Sequence, residues 1–316
     1  MNKRRIKPYA IAVLLVVLYA ANVFWLGDII GAKLGLLGSV ISEILLVVTA
    51  VGIFWIFHGK MKVIFPFKKP EPVKIAGTIV LWLGAYGAAM VVTMIMSYFF
   101  PQEMMGASEG IQEIIMNVPA ILSLLVISLS PAICEEMAFR GALLSCFRSL
   151  KNRWVAIMIV SVIFGAFHGS IWRMIPTMLL GIAMGYLLFE TENMIYNMLF
   201  HLVNNAFPIL LLATMNGIMG LAGEDFSGMM ESSSQMAEVP LASVGVYIIY
   251  GGAVPFLLYL GKYLIHKGQP GYDRGVFPKE KQKTLIVLIS VGIGMMLLGL
   301  IMMVVSMMSM QISYGR

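Results

Sequence analysis

Nine long apolar runs decide what this chain can become. They lie at roughly 9–26, 36–57, 75–99, 118–147, 154–169, 174–190, 194–214, 242–264 and 284–309. About 20 apolar residues in a helix cross a hydrocarbon core some 30 Å thick. Within lipid only helices and closed barrels satisfy every backbone polar group. The runs therefore predict an all-α, polytopic membrane protein with about nine transmembrane helices. Composition agrees: 59% of the 316 residues are hydrophobic and 12% are charged, against about 25% charged in soluble domains. Little chain is left over for a soluble domain.

Charge then sets the orientation. With the N-terminus inside, the inside segments hold 19 of the 22 Lys and Arg, leaving Lys33, Arg173 and Arg316 elsewhere. Basic residues favour the cytoplasmic side, so the N-terminus is expected there. The first run follows Lys3, Arg4, Arg5 and Lys7. It is long for a signal peptide and further spans follow at once, so it reads as a retained helix. The net charge of +6 collects at segment ends. That is topology, so membrane lipid is an expected partner and nucleic acid is not. The outside loops 100–117 and 215–241 are acidic and carry no Lys or Arg. They read as topology, or as a vestibule for a basic peptide. Cys134 and Cys146 are expected to be reduced thiols. Pro-containing linkers at 66–72 and 266–283 punctuate the chain. The organisation expected is leading spans over 1–117, a core over 118–214, and an external loop with two trailing spans over 215–316.

Inside the fourth run stand Glu135, Glu136 and Arg140. A charge at mid-bilayer costs roughly 2.5–3.5 kcal/mol on insertion scales, which makes each such residue a functional candidate. Neighbours on a helix point about 100° apart, so the two glutamates face differently. Glu136 and Arg140 stand at i,i+4, with the acid on the favourable N-terminal side. They neutralise each other and leave Glu135 for chemistry. The plain alternative is a cytoplasmic helix cap with solvated charges.

Two further spans carry polar residues. Phe164 and His168 share one face, as do His201 and Asn205. Asn193, Asn197, His201 and Asn205 form a stripe at every fourth position, and such a stripe must face protein or water. Taken singly, each histidine reads as an interhelical hydrogen bond. At about 1.5 Å rise per residue, Glu135, His168 and Asn205 all fall about 20 Å from the inner boundary. Pro131 removes a donor and crowds the carbonyl of Ile127, so a kink is expected above the glutamates. A water-filled cavity among the fourth, fifth and seventh spans follows as an expectation. A carboxylate and a neutral histidine on one water form a general base; a second histidine and an amide can hold an oxyanion. Zinc on Glu135, His168 and His201 is an alternative, although no His-Glu-x-x-His motif is present.

The Glu-Glu-x-x-x-Arg of 135–140, the Phe-x-x-x-His of 164–168 and the His-x-x-x-Asn of 201–205 resemble the three motifs of the CPBP intramembrane proteases. That family groups type II CAAX prenyl endopeptidases with bacteriocin-processing and immunity-type (Abi) proteins. The resemblance covers roughly 118–214. It implies a glutamate-dependent intramembrane endopeptidase without a cofactor. Glu135 and His168 would activate water, and His201 and Asn205 would hold the oxyanion. Glu136, Arg140 and Phe164 would support the site. The expected substrate is a membrane-associated peptide or protein, such as a leader peptide or pheromone precursor, in a bacterial cell membrane. A non-catalytic immunity factor or scaffold that binds a membrane partner is the alternative. An ion-coupled transporter is a third reading, which the absence of internal repeats opposes.

Overall fold

A computed structural model describes residues 7–107, 118–223, 228 and 238–314. Among them every regular element is helical. Eight helices are long and apolar enough to cross a membrane: α1 (Pro8–Leu34), α2 (Leu36–Ile56), α3 (Pro72–Phe99), α4 (Ala120–Leu143), α6 (Ile171–Thr191), α7 (Met194–Leu221), α8 (Leu241–His266) and α9 (Lys279–Ser309). The ninth apolar helix, α5 (Arg153–Ala166), spans only about 21 Å at the usual rise. The chain is thus all-α and polytopic, and the nine expected runs each coincide with a helix. Most of the two acidic loops lies outside the described residues, including Glu109, Glu113, Glu224, Asp225 and Glu231.

The described residues group into two compact units. The first combines Met1–Pro70, Val118–Gly169 and Gly181–Leu210, and it contains every candidate residue named above. Its opening departs from expectation. Residues 27–35 read as a loop, yet the helix continues to Leu34, and Gly35 alone turns the chain into α2. Gly35 has φ 54°, a conformation that glycine adopts freely and other residues do not. The hairpin closes tightly, for a Cβ at Gly38 would stand 2.8 Å from the Cα of Gly31. Buried Asn22 donates its side-chain amide to the carbonyl of Ser42 at 2.9 Å, pinning α1 to α2.

Helix α4 is not uniform. Leu124–Leu129 and Glu136–Leu143 are π-helical, flanking an α-helical turn at Ser130–Glu135. Such wide turns occur mostly at functional sites. They are how the span absorbs Pro131 while remaining one continuous element. Asn152 caps α5 by accepting from the Trp154 N–H at 2.9 Å. Arg153 pairs with Glu190 at 2.8 Å, fixing the start of α5 to the end of α6. Helix α7 runs through Pro208 to Leu221, beyond the boundary expected near 214.

The second unit gathers Glu71–Asn117, Ser170–Leu180 and Leu211–Arg316. Glycines let its backbones approach closely, as membrane helices favour. Cβ atoms at Gly77, Gly84 and Gly261 would meet Ile265, Leu258 and Leu81 within 2.9 Å, which seats α3 on α8. Gly252 and Gly292 do the same for α8 and α9.

Candidate active site

The site is built on Glu136, which is wholly buried. Its carboxylate draws three side chains from two helices, α4 and α7. The Arg140 guanidinium approaches from the next turn of α4, with Nη1 3.1 Å from Oε1. No guanidinium nitrogen makes an aligned hydrogen bond, so the contact is one of charge and proximity. The ring of Phe164 on α5 lies 3.9 Å below the guanidinium carbon, a stacking that suits arginine's planar cation. His201 on α7 donates from Nδ1 to Oε1 of Glu136 over 2.9 Å. Asn197, one turn earlier, donates to Oε2 at 3.4 Å and to the Met184 carbonyl at 2.7 Å.

Glu135 has a different environment. Nε2 of His201 lies 3.9 Å from its Oε2, beyond hydrogen-bond length. That oxygen is buried and accepts no hydrogen bond, although 18% of the side chain is exposed. His201 therefore stands between both glutamates, with Nδ1 on Glu136 and Nε2 toward Glu135. With Nδ1 protonated, Nε2 of the neutral ring is the acceptor. Sequence reasoning placed the two glutamates on different faces, and this split of partners is its structural form.

His168 lies in the turn that closes α5, two residues past Ala166. Its Nδ1 donates to the Phe164 carbonyl at 2.9 Å, a helix-end acceptor that fixes the tautomer and leaves Nε2 as the basic nitrogen. Phe164 joins the parts. Its ring meets His168 edge-on at 5.0 Å, His201 at 6.0 Å and Phe139 at 5.2 Å. Asn205 donates to the Ile127 carbonyl at 3.0 Å and accepts from Asn204 at 3.0 Å. The first member of the stripe, Asn193, has another task. It grips the linker at Lys68, donating to that residue's carbonyl at 2.9 Å and accepting from its N–H at 3.2 Å.

Two contributors from the leading helices were not singled out from sequence. Tyr19 of α1 donates to the Ala138 carbonyl at 3.3 Å and packs on Phe139. Glu43 of α2 brings its carboxyl into hydrogen-bonding reach of the Glu135 carboxyl. A lone glutamate in an apolar span was the available signal; Tyr19 left none. A cavity of about 340 Å³ lies apart from this constellation, with Lys60, Ser145, Cys146 and Arg148 among its walls.

Among the described residues no group of three or more His, Cys, Asp or Glu is arranged to hold a metal. A zinc ion on Glu135, His168 and His201 would need these side chains to converge further. What the arrangement offers is a partly accessible carboxylate beside His201, with a second histidine, His168, across the Phe164 ring, and both tautomers set by neighbours.

Residues 117–207 match the family described as Type II CAAX prenyl endopeptidase Rce1-like. The stretch holds Glu135, Glu136, Arg140, Phe164, His168, His201 and Asn205, and agrees with the family read from the three motifs. No curated protein and no solved structure matches the chain.

Proposed function

We propose that this Rce1-like segment, in a multi-pass membrane protein, cleaves a peptide bond by water that Glu135 activates. The carrying observation is the division of labour around His201. Glu136 is occupied by Arg140, His201 and Asn197, while the Oε2 of Glu135 has no protein donor. A carboxylate so placed is the one to take a proton from water.

In this mechanism Glu135, assisted by Nε2 of His168, removes one proton as the water oxygen bonds to the scissile carbonyl carbon. The carbonyl electrons move onto its oxygen. Asn205 spends one amide hydrogen on Ile127 and offers the other to that oxyanion. His201 adds a donor there when its ring carries both protons, with Glu136 holding Nδ1. Collapse of the tetrahedral intermediate breaks the C–N bond, and the proton on Glu135 passes to the leaving amine. Preorganised donors of this kind are commonly the largest catalytic term, each about 10²–10³ in kcat. The substrate is a peptide or protein anchored at the membrane, and the N-terminus of the enzyme lies on the cytoplasmic side.

The test is cleavage of a pooled library of membrane-anchored peptides, prenylated CAAX peptides included, by purified protein in detergent. Wild type and Glu135→Gln are compared with and without a strong chelator. Cleavage by wild type, lost in the variant and insensitive to chelator, is the expected result. Chelator-sensitive cleavage would replace the glutamate mechanism with a metal. Cleavage retained by Glu135→Gln would overturn the role of that residue. An inert wild type would move the assignment toward a binding or immunity protein.

A further inference from the structure

Glu43 belongs to none of the three motifs and precedes the family-matched segment by more than 70 residues. It lies in the apolar helix α2, next to Ser42, whose carbonyl is tied to Asn22. Its carboxyl meets that of Glu135, and Cys134 lies close by. One oxygen of each carboxyl is fully buried and accepts no hydrogen bond. The cation that could have separated them is committed elsewhere, since Arg140 and Nδ1 of His201 both serve Glu136.

Two carboxylates cannot stand side by side in such surroundings, because like charges at this range do not both ionise. Neither can donate as an anion. The contact becomes a hydrogen bond only when one carries a proton. Both side chains are half-buried, and Glu135 is the member that faces the histidine. We infer that Glu43 is a positioning residue of the active site: the two carboxyls share one proton, and the hydrogen bond between them holds the other oxygen of Glu135 toward His201.

The inference deepens the peptidase reading, yet it can be tested apart from it. The first measurement is the infrared carboxylic-acid C=O band of the purified protein, identified by its shift in deuterium oxide. The expected result is a band that disappears in Glu43→Gln while the protein remains folded. Persistence of an unchanged acid band in that variant would overturn the assignment, whether or not the protein cleaves anything.

The second measurement uses whichever membrane-anchored peptide of the pool is cleaved fastest. Glutamine keeps a neutral donor toward Glu135, so Glu43→Gln should stay within about threefold of wild-type kcat. Glu43→Leu removes the hydrogen-bonding partner. A misplaced catalytic group costs about 10²-fold, so a fall of that order in kcat at unchanged KM is expected. Equal kcat in the Gln and Leu variants would refute the positioning role. Should the Leu variant fail to fold, the Gln variant and its infrared spectrum still decide. A wild type that cleaves no peptide defeats the peptidase reading, and the infrared result alone then stands for or against the shared proton.

Discussion

The side-chain amide of Asn205 donates to the carbonyl of Ile127, the carbonyl that Pro131 has no N–H to reach. A gap made by proline in α4 is thus filled by an amide from α7, which also places Asn205 one helical turn from His201. Interhelical hydrogen bonds in membrane proteins average about 0.6 kcal/mol and reach about 1.7. Asn205→Ala is expected to destabilise the fold by about 1 kcal/mol. The loss should shrink in a Pro131→Ala background, where residue 131 regains a backbone donor. Unfolding in detergent, followed for the two single variants and the double, checks this. Strict additivity would contradict the link.

The Glu136–Arg140 pair is wholly buried, and removing one partner of such a pair leaves an uncompensated charge. Arg140→Ala should therefore destabilise by about 3–5 kcal/mol. The double variant Glu136→Gln with Arg140→Met should lose less than Arg140→Ala alone. Arg140→Lys keeps the charge but loses the flat stack on Phe164, with an expected loss of about 1–2 kcal/mol. A double-mutant cycle on thermal unfolding measures the coupling. Zero coupling would contradict a direct pair.

Gly38 is where α1 and α2 touch backbone to backbone. Gly38→Ala forces a methyl group to within 2.8 Å of Gly31, so the hairpin must open. Overpacking of this kind costs about 1–3 kcal/mol. Since Glu43 follows five residues later on the same helix, the substitution should also lower cleavage of the reference peptide. Gly52→Ala, in the same helix with open space around it, should change neither and serves as the control.

Cys146, beyond the end of α4, is 6% exposed. Burial pushes its thiol up to about 11, with a hydrogen bond from Ser145 working against the rise. Because the thiolate is the reactive form, Cys146 should resist maleimide at pH 7 in a Cys134→Ala background. Labelling should accelerate as pH climbs toward 11, and become rapid at neutral pH once the protein is unfolded. Fast labelling of the folded protein at pH 7 would contradict the burial.

Much of this arrangement is legible in the sequence. The spans were readable because length and apolarity alone specify a membrane helix. The Glu136–Arg140 pair was readable because i,i+4 is a local relation. The hairpin was not, since Gly27, Asp28, Gly31, Lys33 and Gly35 make residues 27–35 look like a loop. The partners of the stripe were hidden for another reason. Asn193, Asn197 and Asn205 bind the main-chain carbonyls of Lys68, Met184 and Ile127, and a carbonyl leaves no mark in the sequence. Glu43 did leave one, a single acid in an apolar span, but it stood outside the motifs.

The hairpin of α1 and α2 also has a consequence for biogenesis. Glu43 leaves the ribosome 92 residues ahead of Glu135. At about 5–20 residues per second, its span waits roughly 5–20 s before the partner carboxyl is made. During that interval the acid has no companion, and the leucines and valines around it must carry insertion alone. Order of synthesis thus makes the first two spans a platform laid down early, onto which the family-matched stretch is assembled as it emerges.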